Sequence, residues 1–149
     1  MPENKPPRLT PKDFHILETM LKERSGSNDP LLPLLQHKLA TAIVVPTHEM
    51  PPDVVTLYSR VRYRIDDQPA VTRIVIHDAL HEVMGATLPV SSLRGLALLG
   101  LTGGTATTVR YFGSATETIH IEAVVYQPEA ARFAGKAMGR AEEPQDLPH

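Results

Sequence analysis

A chain of 149 residues suits one domain, or one domain with a small appendage. Its 42% hydrophobic content can build a core, which 5% aromatics and no tryptophan make an aliphatic one. A formal net charge of −2 leaves no electrostatic footprint for nucleic acid, and the lack of cysteine excludes disulfides and thiolate metal sites. No apolar run approaches the ~20 residues of a membrane span. The opening MPENKPPR lacks the apolar h-region of a signal peptide, so the expected location is the cytoplasm.

Residues 1–9 read as a mobile, Pro-rich tail. Thr10-Pro11-Lys12-Asp13 is a helix start, with a hydroxyl cap, proline at the first position and a carboxylate in the first turn. Phe14, Leu17 and Leu21, flanked by Ile16 and Met20, carry an apolar stripe to about Arg24. Ser25-Gly26-Ser27-Asn28 predicts a turn. A second helix follows, with Leu31, Leu32, Leu35 and Leu39 as its face. A proline beyond the first turn removes a backbone hydrogen bond, so its regular part is expected from about Pro33, after an irregular Asp29-Pro30 lead-in. Residues 10–45 thus make an antiparallel helical hairpin, an arm only ~20 Å long at ~1.5 Å per residue. Helices this short are marginal alone and must be held by mutual packing and by docking at the base.

Residues 46–130 read as a sheet domain, entered through a Pro-rich linker ending at Asp53. Residues 54–64 alternate at Leu57, Ser59, Val61 and Tyr63, and Asp66-Asp67-Gln68-Pro69 reads as a hairpin turn. Residues 70–76 form a second strand, 78–85 a loop, and 86–90 a third strand. The stretch 90–104, VSSLRGLALLGLTGG, then reads as strand end, short apolar helix and glycine turn. Ser92 is placed to cap that helix, and Leu93, Leu96, Ala97, Leu98 and Leu101 form its apolar face. Gly100 and Gly103-Gly104 stop it and turn the chain back. Strands 105–112 and 118–126 pair around Gly113-Ser114-Ala115. Residues 131–149 have no consistent period and are expected to be disordered. The fold class is α+β: a short N-terminal antiparallel helical hairpin, then an antiparallel sheet packed on one short helix.

Val90, Ser92, Gly95, the run Ala97-Leu98-Leu99-Gly100-Leu101 and Gly104 resemble the core motif of the carboxy-terminal domain of bacterial Gre transcript-cleavage factors. More closely they resemble that of the Rnk family, the regulators of nucleoside diphosphate kinase. Arg8-Leu9, Val54-Val55-Thr56 with Ser59-Arg60-Val61, and Val124-Val125-Tyr126-Gln127-Pro128-Glu129-Ala130 agree in order and spacing, so the resemblance spans about residues 8–131. It implies an FKBP-like domain. It also implies an RNA polymerase-binding regulator that docks near the secondary channel, with no cofactor and no sequence-specific nucleic-acid binding. The chain departs from the family at Leu93 (usually Pro), Thr105 (usually Asp) and Tyr58 (usually Asn), and carries Pro89 in the strand entering the helix.

Candidate partner-binding residues follow from position. Glu23 and Asp29 bracket the arm's turn; in Gre factors, acidic residues at the tip of a longer coiled coil help hold a catalytic magnesium. Here the shorter arm argues against cleavage stimulation, and helix capping plus a solvated face is the competing explanation. Arg60 and Arg62 share one face of an alternating strand, continued by Arg64, and suit an acidic partner. Ser92 and Arg94 belong to the surface of the central helix, where docking is expected. Self-association through a sheet edge or the arm stripe remains open.

Three temptations are weaker. His77 and His81 have zinc-compatible spacing on a helix, but the full HExxH pattern is absent and an inter-strand loop is expected. The run GLTGG at residues 100–104 precedes a strand rather than a phosphate-facing helix. Prolyl isomerisation rests on fold analogy alone, and three Phe and four Tyr make an aromatic pocket hard to build. An enzyme of either kind, metal hydrolase or isomerase, is the alternative to a binding module.

Overall fold

The computed structural model describes residues 5–77, 82–111 and 115–141, with 135–141 as backbone alone. Strand β1 (Arg8–Leu9) leads into helices α1 (Pro11–Arg24) and α2 (Leu31–Thr41), and β2 (Ile43–Val44) returns parallel to β1. After a 3-10 turn (Thr47–Glu49) come β3 (Arg60–Ile65), β4 (Val71–Ile76), β5 (Thr87–Pro89), α3 (Leu93–Leu98), β6 (Ala106–Arg110), β7 (Thr116–Tyr126) and α4 (Pro128–Ala141). The class is α+β.

Both helix starts read from the sequence are real caps. Thr10 Oγ1 accepts from the Asp13 N–H at 3.1 Å, with Pro11 in the first turn. Ser92 Oγ accepts from the Gly95 N–H at 3.1 Å. Helix α2 begins at Leu31, earlier than expected. Pro33 falls at its third position, where the backbone has no intrahelical hydrogen bond to lose. The capping oxygen is Asp29 Oδ1, which accepts from the Leu31 N–H at 2.9 Å.

The sheet order is β5-β4-β3-β7-β6. It is mixed rather than wholly antiparallel, because β5 runs parallel to β4. The expected strand over residues 54–64 is also shorter. Residues 54–59 are a buried loop instead, with the Val55 N–H on Leu101 O at 2.8 Å and the Ser59 N–H closing a turn on Thr56 O at 3.0 Å. Val54, Val55 and Leu57 are all buried, so their apolar pattern imitated a strand. Inside that turn Tyr58 adopts φ 70°, a left-handed conformation that residues other than Gly, Asn and Asp seldom hold.

Two glycines fix the central helix and its exit. A Cβ on Gly95 would lie 2.1 Å from Pro89 O, so only glycine lets α3 press against β5. At Gly104, φ 89°, the Gly104 N–H donates to Ile121 O while the Ile121 N–H donates to Thr105 O. Two residues thus face one, a bulge that starts β6 in register with β7.

Two expected tails are corrected. Residues 8 and 9 are held at both ends: the Arg8 N–H donates to Gly100 O at 2.9 Å, and the Val45 N–H to Leu9 O at 2.9 Å. Beyond Glu129 the chain forms α4, started by Gln127 Oε1 accepting from the Ala130 N–H at 3.1 Å. Glycines at 135 and 139 lower its helix propensity, although its sequence is amphipathic at the helical period. Residues 142–149, His81 and the Gly113-Ser114 turn lie outside the described residues.

Leu9, Leu17, Met20, Leu31 and Leu35 from the arm belong to the same buried cluster as Val61, Leu96, Leu99, Ile119 and Ile121 from the sheet side. The hairpin and the sheet therefore share one core.

Candidate partner-binding site

At the arm's tip, Asp29 is braced on both oxygens. Oδ1 caps α2, and Oδ2 accepts from Arg24 Nε at 2.9 Å. Glu23 is exposed and 3.8 Å from the Arg24 guanidinium. One arginine thus sits between the two carboxylates. The tip is a locally neutralised turn, closed further by the Ser27 hydroxyl donating to Arg24 O at 2.6 Å.

At the base, buried polar groups join three elements. The Asp13 carboxylate, 2% exposed, accepts from the Leu57 N–H at 3.1 Å. Burial pushes its pKa up; the Leu57 bond lowers it, and the nearby Glu129 charge raises it again. Thr56 Oγ1 donates to Glu129 Oε1 at 2.6 Å and also pairs with Ser59 Oγ at 2.8 Å. Gln127 donates to Pro51 O at 2.7 Å and Val54 O at 2.9 Å. These contacts tie α1, the 54–59 loop and the start of α4 into one joint.

Across the arm, Lys38 is 4% exposed and donates to Ala97 O at 3.3 Å and Leu99 O at 2.6 Å, at the end of α3. Among the described residues it has no carboxylate partner. Burial pulls its pKa down to about 7. The sequence reading missed it.

On the sheet side, Arg94 lies on α3 and makes a two-pronged pair with Glu117, at 2.7 and 2.9 Å. The Tyr111 hydroxyl donates to the same carboxylate. Hydrogen bonding to Arg94 holds Glu117 below the usual carboxylate range. Ser92 both accepts from Gly95 and donates to Pro89 O at 2.6 Å, so its hydroxyl is engaged within the chain. Arg60 and Arg62 lie on the exposed face of β3. Arg62 pairs with Glu122 at 3.0 Å, which Arg64 also approaches at 3.6 Å. The Arg60 guanidinium sits 6.0 Å from the centre of the Tyr126 ring. That face holds three arginines against one glutamate across the strand pair.

The structure thus brings Arg60 with Arg62, and Ser92 with Arg94, while Glu23 and Asp29 stand apart at the arm's tip. His77 is exposed in the loop after β4. Among the described residues no group of three or more His, Asp or Glu side chains is placed to hold a metal, and no helix is long and apolar enough to cross a membrane.

No protein-family model matches the chain. Among solved structures it is similar to the prokaryotic transcription elongation factor GreA/GreB from Nitrosomonas europaea, with a TM-score of 0.65 and 27% identity, covering 83% of this chain and 100% of that one. Over 120 residues it is 30% identical to the regulator of nucleoside diphosphate kinase of Escherichia coli K12, covering 80% of this chain and 88% of that protein. The Shigella flexneri protein of the same name matches over the same extent. Ser92, which caps α3, Gly100 and Gly104, which turn the chain after it, and Thr56, Ser59, Gln127 and Glu129 of the joint are among the residues quoted above for the resemblance. With identity at this level over most of both chains, the protein belongs to the family of regulators of nucleoside diphosphate kinase.

Proposed function

We propose that the protein is a non-catalytic regulator of transcription that binds RNA polymerase near the secondary channel and competes there with Gre-type factors. The observation that carries this reading is the arm. At 14 and 11 residues its helices reach only ~20 Å at ~1.5 Å each, and its tip aspartate is already engaged by Arg24 and the Leu31 N–H. Such an arm occupies an entrance without delivering a free pair of carboxylates to a distant magnesium. The sheet side supports docking. Three arginines on the β3 face, partly offset by Glu122, offer an acidic partner both charge and planar donors. The surface around Ser92 and Arg94 offers a second contact area. The location that follows is the cytoplasm, and any effect on nucleoside diphosphate kinase runs through gene expression.

The test is a competition experiment with core RNA polymerase and a labelled full-length Gre factor. Displacement of the Gre factor is expected, with no stimulation of transcript cleavage in arrested complexes. Replacing Arg60 and Arg62 together by glutamate should weaken displacement at least about tenfold, as the loss of two interface cations requires. Stimulated cleavage, or failure to bind at micromolar concentration, would refute the proposal.

A further inference from the structure

Strand β6 closes one side of the sheet, and among the described residues no other strand pairs with its outer edge. Hydrogen bonds on the inner edge fall at odd positions: Thr105 O accepts from the Ile121 N–H, and the Tyr111 N–H donates to Ala115 O. In an antiparallel pair the bonds alternate, so the backbone groups of Ala106, Thr108 and Arg110 point outward. All three residues are exposed, and among the described residues no backbone or side-chain group outside the strand pair bonds to them. The edge is lightly guarded, its one charged residue being Arg110 at the end of the strand. It has no proline, no lysine and no bulge within β6, and Thr107, Thr108 and Val109 are good strand formers. The opposite edge of the sheet, β5, ends in Pro89.

The edge also lines a groove of about 1050 Å³. Lys5, His37, Lys38 and Thr41 also line it, and among the described residues no lining side chain carries a carboxylate. In a chain whose net charge is −2, Lys5 and His37 on the groove and Arg110 at the end of the strand, with no carboxylate described among them, make a local reversal of sign, while the Lys38 ammonium is turned to the carbonyls at the end of α3. A strand entering beside β6 would meet unpaired N–H and C=O groups on one side and positive charge on the other.

We propose that the free edge of β6 and its basic groove bind an extended acidic segment of a partner polypeptide, which adds to the sheet as a sixth strand. Charge decides among the occupants. A second copy paired through β6 would bring two sets of lysine, histidine and Arg110 together with no carboxylate between them. A nucleic-acid strand would find the cations but no Phe, Tyr or Trp ring among the groove's described residues on which to stack, and no use for the strand's alternating donors and acceptors. An acidic peptide uses both features. This surface is separate from the β3 face invoked for polymerase docking, and the proposal does not depend on that reading.

The test titrates the full-length, ¹⁵N-labelled protein with a capped eight-residue peptide alternating Glu and Thr. Amide shifts should concentrate at Ala106, Thr108 and Arg110, and binding should weaken with salt. Thr108→Pro removes an outward N–H that no strand partner uses, so the fold should persist while affinity falls at least about tenfold. Lys5→Glu with His37→Glu should weaken binding without moving the site. Shifts located elsewhere, affinity unchanged in Thr108→Pro, or no binding at millimolar peptide would overturn the proposal. So would β6 shifts that depend on protein concentration alone, which would assign the edge to a second copy. Equal β6 shifts with a thymidine oligonucleotide of matched charge would assign it to nucleic acid. Mapping on the unmodified protein keeps the outcome readable if the proline variant misfolds.

Discussion

At the scale of single residues, Lys38 is the least expected feature. A buried ammonium that meets only carbonyl oxygens gains hydrogen bonds, but not enough to offset its lost hydration. Its amine titrates near 7 in the folded protein and near 10.5 when unfolded. Between those values the unfolded chain holds a proton that the folded chain has released. Stability therefore rises with pH across that window, by at most about 1.4 kcal/mol per unit, and the penalty is complete and constant below it. Lys38→Met keeps the stem and removes the titration. Urea midpoints at pH 6, 7, 8 and 9 should show the unmodified protein gaining on Lys38→Met above pH 7; parallel profiles would refute the assignment. The signal was present in the sequence. Leu31, Leu35 and Lys38 recur at i, i+4 and i+7, so the lysine occupies a core position of the stripe. A charged side chain there is easily read as solvated, and only the carbonyls at the end of α3, some sixty residues away in sequence, give it a buried partner.

At the scale of elements, legibility followed how local the physics is. Thr10 and Ser92 cap helices through residues three positions on, and both were readable. Residues 54–59 were misread because burial on all sides produces the same apolar pattern as a strand, and the left-handed Tyr58 is the wrong residue type to announce a turn. Helix α4 was missed because its cap is a glutamine whose other contacts lie in the 51–54 segment. That side chain does two jobs, starting the helix and satisfying two carbonyls. Gln127→Ala should lower stability by about 1–3 kcal/mol, the usual cost of stranding buried acceptors. Amide exchange at Ala130 and Ala131 should quicken more than in β3. Uniform exchange changes would mean that α4 is not held by this residue.

At the scale of the whole molecule, the sequence divides arm from sheet domain at about residue 45, whereas the core does not. Leu17, Met20, Leu31 and Leu35 pack in the same cluster as Leu96, Leu99 and Ile121, Asp13 bonds the 54–59 loop, and Lys38 ties α2 to α3. A hairpin of two short helices has little stability of its own, so its helicity depends on those contacts. The two regions should therefore unfold together. The four tyrosines (58, 63, 111 and 126) all lie outside the arm, while α1 and α2 supply 14 and 11 of the helical residues. Tyrosine fluorescence thus reports the sheet side, and ellipticity at 222 nm reports the arm together with α3 and α4, whose 6 and 14 residues supply slightly less. In urea the two signals should trace one transition with a common midpoint. An early loss of more ellipticity than α4 alone can supply, with tyrosine emission unchanged, would separate the arm from the core. It would also remove the basis for a short, rigid arm at the entrance of a polymerase channel, because a frayed hairpin would have neither fixed reach nor fixed direction.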